Sequence, residues 1–267
     1  MDPATGLAIL GSAVGSAKVV EKILGPTAEY LGGGLKVWTE KRVENTKRIF
    51  QRAHYLLGDR INSTESVPPR VLKGILDEGS FCDDQLTGEY FGGVLASSRG
   101  PISRDDRGAS FVALIGRLTS YEIRTHYIFY SLAKALFNAS GLSISTPEDR
   151  NSMRIFIPLK IYTSAMDFSV EEDFNVIVSH VMFGLRRENL IEEHFQFGPP
   201  SYLMKHGVNL TEAGIAFYPS ALGAQLFLWA HGMGQTRISE FLTQTIQFEP
   251  NDVVTIADGA RALPKSD

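Results

Sequence analysis

Residues 169–197 decide the fold class, and they read SVEEDFNVIVSHVMFGLRRENLIEEHFQF. Ser169 and Glu172 have the spacing of a capping box, which marks the start of a helix. Apolar residues then recur at the helical period, at Phe174, Ile177, Val178, Val181, Met182 and Leu185. After Leu185 the pattern becomes an alternation that ends at the Gly-Pro-Pro of 198–200, which is typical of a strand followed by a loop.

Downstream of this stretch, the chain is predicted to return as a second strand through 208–210. A last helical region is predicted over about 211–229, with a break at Pro219. The order helix, strand, loop, strand, helix is that of a winged helix. The sequence therefore predicts a winged-helix-like unit with a small β-hairpin in the C-terminal half of the chain.

Upstream of residue 140, repeated helical spacing predicts several further helices, so the expected fold is mainly α. Thr119 and Glu122 form a second capping box, and Gly58 is a plausible helix stop. The predicted helices cover 35–57, a segment after 66–69, a segment after Asp83-Asp84, 111–118 and 121–137.

Two local features qualify this helical pattern. Gly92 and Gly93 lie inside a predicted helix, where glycine costs about 1 kcal/mol relative to alanine, so we expect them to pack closely against a neighbour. Residues 155–162 are apolar and β-branched and therefore strand-like. Because Pro158 cannot donate to a ladder, this strand is expected at an edge or to be irregular.

The chain is expected to divide into four regions. Ser and Gly residues between 138 and 146 suggest a boundary near 140–150. The regions are 1–66 with small-residue-rich and basic helices, 67–140 as a central helical region, 141–247 as the winged-helix-like region, and 248–267 as a weakly ordered tail.

Composition indicates a globular protein with a real core, since 43% of its 267 residues are hydrophobic and 21% are charged. The net charge of −4 argues against a generally basic surface, so any polyanion site must be local. The single cysteine, Cys82, fits a reducing cytoplasm. Residues 3–17 are uncharged but shorter than the roughly 20 apolar residues that span a bilayer, which leaves packing, disorder or surface contact with a membrane as alternatives.

The predicted helix over 35–57 is strongly basic. It has six Lys or Arg residues against Glu40 and Glu44, and those of its central part are Lys41, Arg42, Lys47, Arg48 and Arg52. Such a face is either a solvated surface supported by i,i+4 pairs or a contact surface for RNA, DNA or an acidic protein.

The most concentrated polar run is the arginine loop, which we define as residues 99–108 between two predicted helices. One interpretation is structural: Asp105 or Asp106 caps the next helix and pairs with the arginines. The alternative is anion or partner binding by arginine forks and residues of the following helix, through Arg99, Arg104, Asp105, Asp106, Arg107, His126 and Tyr130.

The sequence contains no phosphate-binding glycine loop, zinc-spaced cluster, metalloprotease helix or serine-nucleophile elbow, so no metal site and no cofactor are predicted. Whether the protein is an enzyme stays open, with the balance against it. Arg187 and His194 have a spacing found in helical ribonucleases and are the weak catalytic candidates. The predicted passage from helix into strand between them would separate the two side chains.

Several segments, in order, resemble the abortive infection alpha (Abi-alpha) family of bacterial phage-defence proteins. They are GPTAEYLG at 25–32 before the basic helix, VPPRVL at 67–72, 86–98, FVALI at 111–115 with Leu118-Thr119, and LTEAGIAF at 210–217. The resemblance implies arrest or death of the infected cell, but no particular reaction and no catalytic residues. The chain departs from the family in the arginine loop and in the Tyr/His-rich helix after it.

Three hypotheses about function follow from these observations. The leading hypothesis is a non-enzymatic defence component that senses or binds a phage-derived, protein or nucleic-acid partner, with a homo-oligomer possible. The alternative is a toxic effector enzyme, for which a ribonuclease is the expected class. A second alternative is a membrane-acting effector that uses the N-terminal segment.

Overall fold

Ten α-helices and four short strands make up the part of the chain that the computed structural model describes, residues 34–102, 104–246 and 254–264. The helices are α1 (Gly34–Leu57), α2 (Pro69–Glu78), α3 (Gln85–Ser97), α4 (Gly108–Ile115), α5 (Ser120–Phe137), α6 (Pro147–Arg150), α7 (Leu159–Met166), α8 (Phe174–Arg187), α9 (Pro200–Lys205) and α10 (Ala221–Ala230). The strands are β1 (Ile155–Pro158), β2 (Gln196–Gly198), β3 (Gly214–Phe217) and β4 (Arg261–Ala262). The mainly helical prediction is confirmed.

Local capping signals place several helix ends. Asp84 caps α3 by accepting from the Thr87 backbone N–H at 2.8 Å. At the start of α5, both hydrogen bonds of the predicted capping box between Thr119 and Glu122 are present. The helix start predicted from Ser169 and Glu172 is shifted, because Asp173 and not Ser169 caps α8.

The four strands form one antiparallel sheet in the order β2-β3-β1-β4. Strand β1 pairs with β3 from Ile155 opposite Phe217 to Pro158 opposite Gly214. The expectation of an edge strand over 155–162 is therefore wrong: β1 has neighbours on both sides and ends at Pro158. Its proline occupies the last position, and the chain turns directly into α7.

The C-terminal half departs from the prediction in three places. Residues 208–210, expected as the second strand, form none, because the backbone N–H groups of Val208 and Leu210 bond locally to the carbonyls of Leu203 and Val208. Residues 214–217, expected in a helix, form β3, which pairs with β2 through Ile215 opposite Phe197. Strand β3 is buried at every position, so it shows neither a helical nor an alternating pattern from which its type could be read. The tail was expected to be weakly ordered, but Arg261 and Ala262 form β4 beside β1.

Helix α5 lies at the centre of the hydrophobic core. Helices α3, α7, α8 and α10 all pack against it, and Ile123, Ile128 and Phe129 are fully buried. The predicted close approach at the glycine pair of α3 is confirmed. A Cβ on Gly93 would lie 1.8 Å from the carbonyl oxygen of Ala230 in α10. None of the helices in the described ranges has the length and apolar character that crossing a membrane requires.

Candidate functional site

A cleft lies between α4, the C-terminal end of α8 and the N-terminal end of α10. Two adjoining depressions of about 620 and 500 Å³ share Arg187, Asn189 and Leu222. We call this surface the arginine cleft after the four side chains that line it: Arg107, Arg117, Arg186 and Arg187.

Two of these arginines are held over one carboxylate. Arg117 Nη2 donates to Glu188 Oε2 at 2.9 Å, and Arg187 Nε donates to Glu188 Oε1 at 3.1 Å. The hydrogen bond from Arg117 is the largest cause of a lowered pKa for Glu188, which keeps this carboxyl ionised. Both arginine side chains remain more than half exposed, whereas Glu188 is 14% exposed. The acid thus lies beneath the guanidinium groups and fixes their orientation.

The third arginine, Arg107, is fixed in the same manner. Its Nε and Nη2 each donate at 2.7 Å to the two oxygens of Asp105, and Nη2 also donates to Gln235 Oε1 at 2.8 Å. This bidentate pairing lowers the pKa of Asp105 to about 2. The guanidinium carbon lies 5.7 Å from the centre of the Trp229 ring, so it is also in cation–π range.

The N-terminus of α10 opens on the same cleft. Its cap, Ser220, lines the larger depression and accepts from the Gly223 N–H at 3.0 Å. The first turn of a helix carries partial positive charge and N–H groups that have no partner within the helix. Two independent sources of positive potential therefore meet here, and phosphate or carboxylate groups are the ligands that they favour.

The cleft is not uniformly basic, since Glu192 and Glu193 also line it. Arg186 Nη2 donates to Glu193 Oε1 at 2.7 Å, and Glu192 accepts from Arg150 Nε at 2.7 Å. The cleft therefore presents guanidinium groups that carboxylates hold in fixed orientations, and not a uniformly positive surface. Such forks suit bidentate recognition of an oxyanion more than non-specific attraction.

The arginine loop contributes only Arg107 to this cleft. Arg99 faces away and donates to three backbone carbonyls of the preceding segment, those of Ile61, Ser63 and Glu65. Arg104 is exposed.

The expectation that Asp105 or Asp106 caps the next helix is wrong. Helix α4 begins after Arg107, and no side chain provides its cap. The carboxylate of Asp105 is used by Arg107, and that of Asp106 accepts from Arg70 at 3.1 Å.

His126 and Tyr130 do not reach the surface, because both are fully buried. The Tyr130 hydroxyl donates to the Leu190 carbonyl at 2.6 Å and accepts from the Ser220 N–H at 2.9 Å. The prediction that they belong to a binding surface is therefore wrong. Both lie in the core, where they connect α5 to the residues that flank α10.

The basic helix α1 is partly engaged within the molecule. Arg42 donates to Ser80 Oγ at 3.0 Å and lies over the Phe81 ring, and Arg48 donates to Asn45. Arg52 lies 5.5 Å from the Tyr55 ring centre. Lys41 is half-buried, and the exposed Lys47 pairs with Glu44 at 3.6 Å. Contact with a polyanion through this helix stays a prediction, but most of its charges already have internal neighbours.

Arg187 and His194 do not share a helix face. Helix α8 ends at Arg187, and Asn189 then adopts a left-handed conformation with φ 56°. His194 is exposed beyond this turn, and it does not line the arginine cleft. Arg187 therefore lines the arginine cleft, whereas His194 lies outside the cleft.

Sequence analysis did not identify Arg117 and Glu188 as site residues. They stand 71 positions apart, and no local pattern connects them. The described residues contain no group of three or more His, Cys, Asp or Glu side chains arranged to hold a metal ion.

No family model matches the chain, and comparison with curated proteins and with solved structures gives no match either.

Proposed function

We propose that this protein is a component of bacterial abortive-infection defence, which acts in the cytoplasm and binds the phosphate groups of a nucleic-acid partner. The observation that carries this proposal is the arginine cleft, in which Arg107, Arg117 and Arg187 are held in place by carboxylates while most of each side chain stays exposed. Arginine forks fixed in advance lose little entropy when they meet a phosphate.

The partner is proposed to bear phosphates because of the geometry of the cleft. Guanidinium groups pair with phosphate through two parallel hydrogen bonds, and a helix N-terminus adds donors on the same side. With a net charge of −4, the protein as a whole repels nucleic acid. Binding is therefore confined to the cleft and does not spread over the surface.

The connectivity around α8 supports the same partner. We infer that α5, β1, α7, α8, β2 and β3 form a winged helix, with α9 inserted in the connection between β2 and β3. Helix α8 is then the third helix, in the position used for nucleic-acid recognition. It contains no acidic residue, and it exposes His180, Phe183 and Arg187.

The defence context comes from the resemblance to the Abi-alpha family. A phage-derived nucleic acid is the trigger that fits both this resemblance and the cleft. The alternative of a membrane-acting effector depends on the N-terminal segment 1–33, which lies outside the described residues.

The test is direct binding of purified protein to fluorescein-labelled single-stranded RNA and duplex DNA, followed by anisotropy over a salt series. Arg117→Ala and Arg187→Ala should weaken binding, and each should reduce the slope of log K against log salt by about 0.7 to 0.9. Arg261→Ala is the matched control, because Arg261 is a surface arginine of β4 and is paired with Glu212.

Affinity for both probes that is unchanged in the Arg117→Ala/Arg187→Ala double variant would refute the cleft as the binding site. In cells, the same double variant should lose phage protection in a plaque assay at an unchanged protein level, whereas Arg261→Ala should keep it.

A further inference from the structure

Glu122 is a buried carboxylate with only one oxygen engaged in hydrogen bonds. Oε2 accepts from the Thr119 backbone N–H at 2.7 Å and from Thr119 Oγ1 at 3.1 Å. Oε1 is buried and makes no hydrogen bond to the described residues. Buried polar atoms are rarely left unpaired, so this oxygen requires an explanation. The capping box alone uses Oε2 and does not account for Oε1.

The free oxygen points at one face of α8. It lies 3.9 Å from His180 Nε2 and 3.8 Å from Arg187 Nη2, and both of these side chains are more than half exposed. His180, Gly184 and Arg187 follow one another at helical spacing on this face.

Gly184 makes this approach possible. A Cβ at that position would lie 1.7 Å from Glu122 Oε1. The carboxylate oxygen thus occupies the space of the missing side chain and sits between the imidazole and the guanidinium.

We propose that Glu122, His180 and Arg187 form an acid–base site that cleaves RNA phosphodiester bonds. This inference rests on the proposed nucleic-acid binding, since Arg187 also lines the arginine cleft, and it goes beyond that function by adding a reaction. His180 is the catalytic base. Arg187 binds the phosphate and balances its charge in the transition state. Glu122 is a positioning residue, whose Oε1 lies 3.9 Å from His180 Nε2 and orients the imidazole.

The reaction is a transesterification within the RNA. His180 removes the proton from a ribose 2′-hydroxyl, and the 2′-oxygen attacks the adjacent phosphorus. The bond from phosphorus to the 5′-oxygen breaks, and this oxygen takes a proton from water. The imidazolium then returns its proton to the hydroxide that remains. The products are a 2′,3′-cyclic phosphate and a 5′-hydroxyl, and no metal or redox partner is needed.

His180, and not His194, is the histidine that lies on the same helix face as Arg187. A separation of seven positions brings two side chains to one face only if the helix continues between them. Helix α8 is continuous from His180 to Arg187, whereas it ends before His194. His180 and Arg187 therefore lie on one helix face, where both approach Glu122 Oε1.

The experiment measures binding and cleavage of one end-labelled RNA by the full-length protein. His180→Ala should lower the cleavage rate by about 10²- to 10⁴-fold, the usual contribution of a general base, while RNA affinity stays within about twofold. Added imidazole should restore part of the lost rate. The control His194→Ala, another exposed histidine, should cleave like the wild type.

Glu122→Gln tests the positioning role. It should lower kcat with little change in KM, and its melting temperature is measured alongside because Glu122 also belongs to the capping box. If this variant fails to fold, His180→Ala with imidazole rescue tests the catalytic site instead, because replacing an exposed side chain leaves the fold intact.

The outcomes separate the two proposals. RNA that binds in the arginine cleft but is not cut, or that His180→Ala cuts at the wild-type rate, overturns the catalytic inference and leaves the binding function standing. Failure to bind RNA while duplex DNA still binds overturns only the catalytic inference, and failure to bind either probe overturns both. Cleavage products with a 2′,3′-cyclic phosphate, lost in His180→Ala and kept in His194→Ala, support the site.

Discussion

At the residue scale, burial determines what His126 does. Its Nδ1 lies 2.8 Å from the Tyr90 hydroxyl and its Nε2 lies 2.9 Å from the Gly223 carbonyl oxygen. Because a carbonyl only accepts, Nε2 carries the proton and Nδ1 accepts from Tyr90. Burial lowers the pKa of His126 to about 3, so the ring is neutral and structural at physiological pH.

This neutral histidine predicts a dependence of stability on pH. The pKa of His126 falls from an ordinary 6.5 to about 3 on folding, so the unfolded chain takes up the proton first as the pH drops. Its stabilisation is complete above pH 6.5 and should decline by on the order of 3 kcal/mol by pH 4. Urea unfolding monitored between pH 7 and pH 4 measures this slope.

The control for this prediction is a comparison of histidines. His126→Gln should flatten the slope only in part, because burial also lowers the pKa of His231 to about 4. His54→Gln, at an exposed position, should leave the slope unchanged. A slope that is identical in the wild type and in His126→Gln would contradict the assignment.

Arg99 gives a second prediction at this scale. Its guanidinium donates to the carbonyls of Ile61, Ser63 and Glu65 and so holds the segment between α1 and α2. Arg99→Ala removes these charge-assisted bonds and should cost about 1–3 kcal/mol of unfolding free energy. Chemical denaturation measures this cost. Arg104→Ala, at an exposed position in the same loop, should cost almost nothing, and equal losses in the two variants would contradict this role of Arg99.

At the element scale, α3 contains a matched pair of glycines. Gly93 faces the Ala230 carbonyl, where a Cβ would lie 1.8 Å away, whereas a Cβ on Gly88 meets nothing within 4 Å. Gly93→Ala should therefore destabilise by about 1–3 kcal/mol through overpacking. Gly88→Ala should stabilise by about 0.4–1 kcal/mol, because alanine restricts the unfolded chain. Thermal unfolding of both variants measures the two signs, and a stabilising Gly93→Ala would show that α3 and α10 do not approach this closely.

Helices could be predicted from the sequence to the extent that their signals are local. The start of α5 follows from Thr119 and Glu122, and the end of α1 follows from Gly58, whose φ of 50° suits glycine. Strand β1 was located by its β-branched residues but not its interior position in the sheet, and β3 was predicted as helix, because both strands are buried at every position. A strand with two buried faces has no alternation, and only its partners fix its type.

At the scale of the whole molecule, the candidate site could not be assembled from sequence. Its contacts join residues that are far apart in the chain, such as Arg117 with Glu188 and Arg107 with Gln235. The sequence did indicate the arginines of 99–108 by their concentration in one polar run, and Arg187 by its spacing from His194. Which of them meet depends on how α8 and α10 pack against α5 and how α4 packs against α10, and that depends on the complete core.

The same core leads to the last prediction, which concerns cooperativity. One hydrophobic cluster extends from Ile49 to Val254, and α5, on one side of the predicted boundary near 140–150, packs against α7, α8 and α10 on the other side. Because neither side buries its apolar surface without the other, we expect residues 67–247 to unfold in a single transition. The fluorescence of the buried Trp229, in a Trp38→Phe background, and far-UV circular dichroism should therefore give the same denaturation midpoint.

Two conservative core variants test this coupling from opposite sides of the predicted boundary. Ile75 in α2 and Ile215 in β3 are both essentially inaccessible. Each Ile→Val change should cost about 0.5–1.5 kcal/mol. In a single cooperative unit, each variant lowers the midpoint of the Trp229 signal and of the circular dichroism by the same amount. A shift of the circular dichroism alone in Ile75→Val, with the Trp229 midpoint unchanged, would mean that the two regions unfold separately.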